Sequence, residues 1–207
     1  RLQRGYSYEQ AFNVMRRLRL PYSQAQEMFR RVVFNVILRN QDDHTKNISF
    51  LMDSDGQWRL SPAYDIGFAY NPAGAWTKTH QMSVNGKFDG LTRKDLLECA
   101  SVNNIKNAPE IIDQICEVAS GWPTLAKECG VPQTMIDAIV PHLLLKLYKK
   151  MRAVIALDGS PLHAVAVINL LRLVDHRTSL DRMTMGFYLF LSGGSSVGLE
   201  IVRFCDS

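Results

Sequence analysis

Apolar and polar positions alternate over the first forty residues at the spacing of two helices. In residues 7–20, apolar side chains recur near helical spacing at Phe12, Met15 and Leu18. Ser7 is a plausible N-cap for this helix, and Pro21 ends it. A second and longer helix is predicted for residues 23–40, again with a serine, Ser23, at its cap. Its later part is apolar on most sides, which predicts deep burial.

A charged segment follows the second helix and lies between two apolar runs. This charged segment, residues 39–47, reads RNQDDHTKN, and the runs beside it are VVFNVIL and ISFLM. A strand is predicted at residues 47–53, and the turn sequence SDGQ separates it from a second predicted strand at residues 58–65. An Asp-Gly pair between apolar runs is a good hairpin signal, and an antiparallel pair returns the chain to its start. We therefore expect Asp65 to lie close to Asn47.

The remainder of the chain is predicted to be a loop followed by helices. Residues 66–90 are rich in glycine, asparagine and proline and show little periodicity, so we expect a surface loop with short strands. Further helices are predicted at residues 92–104, 108–122 and 134–151, with Thr92 and Asn107 as caps and a kink or break at Pro141. From about residue 151 the apolar positions show only weak periodicity, and we assign this part of the chain no role.

Composition narrows the class of protein without naming an activity. The 207 residues are 46% hydrophobic and 21% charged, which is ordinary for a globular chain, and the net charge of +4 suits an anionic ligand without demanding nucleic acid. The four cysteines are widely spaced with no CxxC pair, which favours a reduced intracellular setting. We see no signal peptide and no apolar tract of the roughly 20 residues that a membrane span needs. We expect a soluble, cytoplasmic protein, and the abrupt start suggests a missing upstream portion.

The acids and amides of the charged segment are spaced as phosphoryl transfer from ATP requires. That reaction needs one carboxylate to orient the substrate hydroxyl, and an amide with a second carboxylate to hold Mg²⁺ against the phosphate oxygens. Asp42 precedes Asn47 by five residues, and Asp65 follows Asn47 by eighteen. Asp42 is therefore the candidate base, and Asn47 and Asp65 are the candidate metal ligands.

Other interpretations of the same segment stay open. His44 and Lys46 would face the phosphates or brace the segment, whereas Asp43 would point outward or pair with an arginine. Asp, Asn and His are also common in turns and at helix ends, where they bond local backbone, so the spacing alone supports a purely structural explanation as well. A DDH sequence would also suit a metal-dependent phosphohydrolase, but no second cluster supports zinc. The scattered histidines, expected to be surface or packed residues, are His80, His142, His163 and His176.

These residues closely resemble the C-terminal region of HipA-type serine/threonine kinases, the toxins of HipA–HipB toxin–antitoxin systems. The family pattern is roughly N-x-x-x-x-N-x-D-D-H-x-K-N, then an apolar strand, then L-[ST]-P-x-Y-D. The matching residues are Asn35, Asn40, Asp42, Asp43, His44, Lys46, Asn47, Leu60, Ser61, Pro62, Tyr64 and Asp65. Residues 80–100 also look like the family's S-[IV]-N-G-K segment and the helix after it, and residues 125–132 fit its helical C-terminus.

The resemblance implies a fold, a reaction and residue roles. The fold would be α+β and mainly helical, a kinase C-lobe of the HipA and phosphoinositide-kinase-like kind with a catalytic loop and a β-hairpin. Asp42 matches the family's catalytic base, and Asn47 and Asp65 match its Mg²⁺ ligands. ATP and Mg²⁺ would be the cofactors, and the ATP-contacting positions would be His44, Thr45, Lys46, Asn47 and Asp65.

The resemblance also implies partners and exposes departures. The family's partners are a HipB-like helix-turn-helix antitoxin and a protein substrate such as an aminoacyl-tRNA synthetase, with DNA reached only through the antitoxin and no membrane. The family's upstream glycine-rich loop and ATP-contacting lysine are not found, and the glycine-rich run at residues 192–200 lacks the lysine of a P-loop. We assign residues 1–147 to the kinase C-terminal lobe and leave residues 148–207 as an unassigned extension. The alternative to a kinase is a truncated, inactive lobe that binds an antitoxin or a partner subunit.

Overall fold

The computed structural model describes residues 5–147 and, further along the chain, two strands at residues 185–192 and 196–203. The helices are α1 (Tyr8–Arg17), α2 (Tyr22–Ile37), α3 (Arg93–Val102), α4 (Ala108–Glu128) and α5 (Gln133–Ile139), with short 3₁₀ helices at Thr45–Asn47, Val140–His142 and Leu145–Leu147. The strands are β1 (Phe50–Met52), β2 (Trp58–Leu60), β3 (Gly67–Phe68), β4 (Met185–Ser192) and β5 (Ser196–Arg203). Helices and antiparallel pairs together give an α+β architecture, as the sequence predicts.

Three of the four predicted caps, Ser7, Thr92 and Asn107, stand at the N-caps of their helices, and Ser23 does not. The Ser7 hydroxyl accepts from the Gln10 amide, and the Gln10 side chain accepts from the Ser7 amide, which completes a capping box at α1. Thr92 forms the same arrangement with Asp95 at α3. The prediction of Ser23 as the cap of α2 is wrong, because the N-cap is Pro21, whose extended backbone leads directly into Tyr22. Asn107 stands at the N-cap of α4 but makes no side-chain capping bond.

Helices α1 to α4 end in the same way, with the residue after the C-cap in the left-handed region of backbone conformation. In α2 this residue is Arg39, with φ of 58°, and the next amide, of Asn40, donates to the Asn35 carbonyl at 2.9 Å. This is a Schellman motif, which satisfies carbonyls that the helix would otherwise leave free. Arg19 and Asn104 end α1 and α3 in the same conformation. The motif fixes the direction in which the charged segment leaves α2.

The core forms where α2 packs against α4, with α1 beside α2. One face of α2 is fully buried and carries Met28, Phe29, Val32, Val33, Asn35, Val36 and Ile37. Each buried aliphatic or aromatic side chain of this size contributes about 1.5–3 kcal/mol, so burial of the α2 face dominates the stability of this region. The predicted deep burial of the later part of α2 is confirmed, and Asn35 is the polar residue within that face.

The predicted hairpin is confirmed, although both strands are shorter than expected. β1 pairs antiparallel with β2, and Phe50 lies opposite Leu60. Asn47 does not enter the strand, because residues Thr45–Asn47 form a 3₁₀ helix ahead of it. β3 pairs antiparallel with β5, which also pairs with β4. The predictions made for the rest of residues 148–207 lie outside the described residues.

Part of the predicted surface loop is in the core. Residues 66–90 contain the buried side chains His80, Met82, Ser83 and Val84. Val84 and Lys87 pair across a tight turn at Asn85 and Gly86, both with positive φ, and the Ser83 amide donates to the Tyr6 carbonyl. The segment therefore packs against the start of α1 and cannot be a surface loop throughout.

The later helices differ from prediction at their ends. α4 continues past the expected end near Trp122 and includes Pro123. Pro141 ends α5 and begins a 3₁₀ turn, so the predicted break at this proline is confirmed. Within the part of the chain that the structure describes, no helix combines the length and apolar character of a membrane span.

Candidate functional site

The charged segment is held at its start by backbone pairing with residues just before Tyr70. The Gln41 amide donates to the Ala69 carbonyl at 3.0 Å, and the Ala69 amide donates to the Arg39 carbonyl at 3.1 Å. The Arg39 guanidinium also lies 4.0 Å from the centre of the Tyr70 ring, a cation–π contact. The segment is therefore fixed against the chain that follows Asp65, although the two stretches are distant in sequence.

The β1–β2 hairpin brings Asp65 back to the charged segment. The Asn40 side-chain amide donates to the Asp65 carbonyl at 3.3 Å, and the Tyr64 hydroxyl donates to the Lys46 carbonyl at 2.6 Å. Asn47 and Asp65 both line one pocket. Its other polar walls are Tyr8, Arg31, Asn35, Asn40, Asp43, His44 and Tyr64. The structure thus brings together the two residues that the sequence predicts as metal ligands.

Asp42 lies at the edge of this arrangement rather than in the lining of the pocket. Its carbonyl accepts from the Asn47 side-chain amide at 3.1 Å, so the two predicted site residues are directly joined. Burial raises the pKa of the Asp42 carboxyl, nearby His44 lowers it, and the carboxylates of Asp65 and Asp43 raise it further, with a net upward shift. A carboxyl with a raised pKa is a better proton acceptor, which suits the role of a base.

The other predicted nucleotide-contacting residues occupy different environments. His44 lines the pocket, and its Nδ1 atom is buried without a hydrogen-bond partner in the described residues. Thr45 and Lys46 are exposed and do not line the pocket. Their place in the 3₁₀ helix is set by backbone bonds, including one of 3.0 Å from the Asn47 amide to the His44 carbonyl. His44 is therefore part of the pocket, whereas Thr45 and Lys46 lie outside its lining and are exposed.

Asp43 is not an outward-facing residue, and among the described residues it does not pair with an arginine. It is 1% exposed and accepts hydrogen bonds from the Tyr8 hydroxyl at 2.8 Å and the Gln81 amide at 2.7 Å. Nδ1 of His80 lies 2.8 Å from the carboxylate oxygen that also receives the Tyr8 bond. His80 is itself buried, so the expectation of a packed histidine is met. A buried carboxylate is tolerated because these donors replace its lost water.

Sequence reasoning did not assign roles to Tyr8, Asn35 and Asn40, which complete the site. The Asn40 side chain donates to the Asn35 side-chain oxygen at 3.1 Å, and Asn35 donates to the Tyr8 hydroxyl at 2.9 Å. The sequence does mark Asn35 as a buried polar residue, since an asparagine inside the apolar run VVFNVIL requires a buried hydrogen-bond partner. No local feature of the sequence marks Tyr8 as part of the site, because its partner Asp43 lies 35 residues away.

The residues of the pocket fit a magnesium ion that a bound nucleotide helps to coordinate. Asn47 and Asp65 offer hard oxygen atoms, and Mg²⁺ normally takes one or two carboxylates and completes its shell with phosphate oxygens and water. Among residues 5–147, no group of three or more His, Cys, Asp or Glu side chains could hold a metal ion. Burial is the largest cause of the raised pKa of Asp42, and the nearby Asp65 and Asp43 carboxylates add to it, a contribution that a bound cation would offset.

Comparison with known proteins identifies a family. No curated protein and no solved structure gave a match. A family model described as the HipA-like C-terminal domain matches residues 1–140, which is most of the chain. The matched region contains α1 to α5, the charged segment, the hairpin and Asp65. The chain therefore belongs to the HipA-like C-terminal domain family.

Proposed function

We propose that this chain is the C-terminal catalytic portion of a HipA-type serine/threonine protein kinase, which transfers the γ-phosphate of ATP to a protein hydroxyl. The observation that carries the proposal is the meeting of Asn47 and Asp65 in one pocket, with the Asp65 charge acting on Asp42. Family membership supplies the second support. A kinase C-lobe fold, with the charged segment as its catalytic loop, is part of the same proposal.

In this mechanism each residue has a separate task. Asp42 accepts a hydrogen bond from the substrate hydroxyl and orients it for in-line attack on the γ-phosphate, and its raised pKa helps it to take the proton. Asn47 and Asp65 would hold Mg²⁺, which supplies neutralisation of the negative charge that grows on the phosphate oxygens. His44, Thr45 and Lys46 would lie beside the phosphates of ATP, with Lys46 supplying a positive charge.

The proposed biological setting is a toxin–antitoxin pair. The partner would be a HipB-like helix-turn-helix antitoxin, and the protein substrate would be a translation component such as an aminoacyl-tRNA synthetase. DNA would be contacted only through the antitoxin. Membership of the HipA-like family supports this setting.

Calorimetric titration with Mg-ATP tests the proposal directly. We expect the wild-type chain to bind Mg-ATP, and Asp65→Asn to weaken that binding because it removes a negatively charged ligand. The matched control is Asp55→Asn, the same chemical change at the exposed turn of the hairpin. Equal affinity of the Asp65→Asn and Asp55→Asn proteins for Mg-ATP would contradict the assignment of Asp65.

Phosphate transfer separates the kinase from its alternatives. With radiolabelled ATP and candidate protein acceptors, we expect label on a serine or threonine of the acceptor, and none from Asp42→Asn. An Asp42→Asn protein with unchanged transfer would refute the role of Asp42. Absence of Mg-ATP binding would instead favour an inactive binding module, and release of free phosphate without a labelled acceptor would favour a phosphohydrolase.

A further inference from the structure

The strongest unassigned feature of the molecule is the buried pair of Asp43 and His80. Their side chains are 0% and 1% exposed, and the distance from the Asp43 carboxylate to Nδ1 of His80 is 2.8 Å. Both side chains are shielded from bulk solvent, although Asp43 lines the inner wall of the pocket. Asp43 nevertheless stands next to Asp42 in the chain.

The pair is part of a continuous polar chain through the core. Tyr8 donates to Asp43, Asn35 donates to Tyr8, and Asn40 donates to Asn35. Asn40 in turn donates to the Asp65 carbonyl at 3.3 Å. Asp43 and Asp65, which both line the pocket, are thus linked through four hydrogen bonds, of which three are buried and the last, to the Asp65 carbonyl, is partly buried. A network of this kind holds one arrangement only while every member keeps its partner.

The Tyr8 hydroxyl is a donor within this chain of hydrogen bonds. Burial raises the pKa of the Tyr8 hydroxyl, and the Asp43 carboxylate raises it further, so Tyr8 stays a neutral donor to that carboxylate. For His80 to donate to the Asp43 carboxylate, its Nδ1 atom must carry a proton, and its Nε2 atom is buried without a hydrogen-bond partner among the described residues. His80 lies three residues before Ser83, whose amide donates to the Tyr6 carbonyl just ahead of α1. The charged segment is therefore tied to α1 through His80 as well as through Tyr8.

We infer that Asp43 and His80 are a positioning pair, which fixes the backbone of the charged segment so that Asp42 and Asn47 face Asp65. The inference rests on the proposed function for its catalytic consequence, but its structural content is independent of it. Two backbone bonds report on the arrangement, from the His44 amide to the Asp42 carbonyl at 2.9 Å and from the Asn47 amide to the His44 carbonyl at 3.0 Å. Without the His80 donor, the buried Asp43 carboxylate loses a hydrogen-bond partner. Conformations of the charged segment that expose this carboxylate to water are then favoured.

Amide hydrogen exchange of the whole chain tests the inference without any assay of activity. In His80→Leu we expect the amides of His44 and Asn47 to exchange about tenfold faster than in the wild type, the effect of leaving a buried acceptor short of one donor. In His80→Asn the side-chain amide stands where Nδ1 stood and donates in its place, so exchange should stay within about threefold of the wild type. Tyr8→Phe, which removes one donor and keeps the ring, should act in the same direction as His80→Leu.

A remote buried residue provides the control for general loss of stability. Asn103 is buried, donates to the Cys99 carbonyl at 2.7 Å and accepts from the Arg16 guanidinium at 2.7 Å, so Asn103→Ala removes two side-chain bonds at the end of α3. Amides of α4, at Ile111 and Ile112, report on the core. We expect Asn103→Ala to leave the ratio of loop exchange to core exchange unchanged, and His80→Leu to raise it. Equal acceleration of loop and core in both His80→Leu and Tyr8→Phe, or equal behaviour of His80→Leu and His80→Asn, would overturn the inference.

Kinetics then connect the pair to the proposed reaction. If the wild type transfers phosphate, His80→Leu should lower kcat about tenfold, with KM for ATP changed less than about threefold, and His80→Asn should restore kcat. A fall confined to KM, or no fall at all, would contradict a positioning role. If the wild type transfers no phosphate, the proposed function fails, and the exchange ratios still decide whether Asp43 and His80 position the segment.

Discussion

The Tyr64 hydroxyl donates a hydrogen bond of 2.6 Å to the Lys46 carbonyl, which ties together the two ends of the hairpin. Tyr64 directly precedes Asp65, and Lys46 directly precedes Asn47. The bond therefore helps to fix the distance between the two candidate metal ligands, Asn47 and Asp65. It is a contact between a side chain and the main chain, so its strength does not depend on which residue occupies position 46.

Tyr64→Phe should reduce the affinity for Mg-ATP about three- to tenfold, because the loss of one hydrogen bond of about 1 kcal/mol loosens the arrangement of Asn47 and Asp65. Calorimetric titration measures this change. Tyr22→Phe is the matched control, since the Tyr22 hydroxyl accepts from the Lys106 amide at 3.0 Å. Tyr22 begins α2, about 20 Å from the charged segment at the other end of that helix. A Tyr22→Phe protein that loses as much affinity would show that the effect is not local.

Asp42→Asn should raise stability at neutral pH while it removes the proposed base. The pKa of Asp42 is raised in the folded protein, chiefly by burial, so the folded state favours the protonated form. The stabilising contribution of Asp42 is therefore complete below its unfolded pKa, near ~4, and is lost as pH rises through the folded pKa. Asparagine cannot ionise and avoids that loss. We expect a gain of about 0.5 kcal/mol at pH 7, kept small because Asp42 is partly exposed.

Urea denaturation at two pH values measures that gain. The difference between Asp42→Asn and the wild type should be positive at pH 7 and disappear near pH 4, where the wild-type carboxyl is protonated in the folded state. Asp55→Asn, at the exposed hairpin turn, should show no such pH-dependent difference. A less stable Asp42→Asn protein at pH 7 would mean that Asp42 makes favourable contacts as an anion, contrary to the shift in its pKa.

Arg19→Gly should stabilise the protein by about 0.5–1 kcal/mol. Arg19 is exposed and has φ of 56°, a left-handed conformation that costs an ordinary residue about 1–2 kcal/mol and a glycine almost nothing. Part of this gain is offset because glycine makes the unfolded chain more flexible. Arg17→Gly, in the last turn of α1, should instead destabilise by about 1 kcal/mol, since that position is helical. Thermal unfolding of the two variants checks the opposite signs, and the same sign for both would contradict the prediction.

Local signals in the sequence predicted the parts of the fold that local chemistry determines. Ser7 and Thr92 cap their helices because each finds its acceptor or donor within three residues. The Asp-Gly turn set the hairpin for the same reason, and the return of Asp65 to Asn47 followed from antiparallel pairing alone. Predictions of this kind need no knowledge of the tertiary structure.

The environment of Asp43 could not be predicted, because its partners are 35 and 37 residues away in opposite directions. The burial of residues 80–84 was predictable in part. His80, Met82 and Val84 alternate ahead of an Asn-Gly turn, the pattern of a half-buried hairpin strand. The abundance of glycine and asparagine in the surrounding residues concealed that period of two. Asn47 was placed in a strand because a 3₁₀ turn of three residues leaves no periodic signal.

Asp95 ties α3 to the turn at Asn85 and Gly86, and this contact should govern acid stability. Its carboxylate forms an ion pair with the Lys87 ammonium at 2.8 Å. It also accepts hydrogen bonds from the Asn85 side-chain amide at 3.0 Å and from the Thr92 hydroxyl and backbone amide at 2.6 and 2.9 Å. Burial by itself would raise the pKa of Asp95, but the Lys87 contact and then the Thr92 and Asn85 bonds outweigh burial and lower it well below its usual range.

Asp95→Asn should therefore destabilise the protein by about 2 kcal/mol at pH 7, since it removes the charge that these donors surround. A lowered folded pKa means that the stabilisation is present above the unfolded pKa, near ~4, and is lost as pH falls toward the folded value. The difference between wild type and Asp95→Asn in urea should thus be constant from pH 7 to 5 and shrink below pH 4. Asp137→Asn is the control, because Asp137 accepts an exposed bond from Gln133 within α5 and no other side-chain bond from the described residues. A difference for Asp95→Asn that persists unchanged at pH 2.5 would show that the carboxylate charge contributes nothing and that shape alone matters.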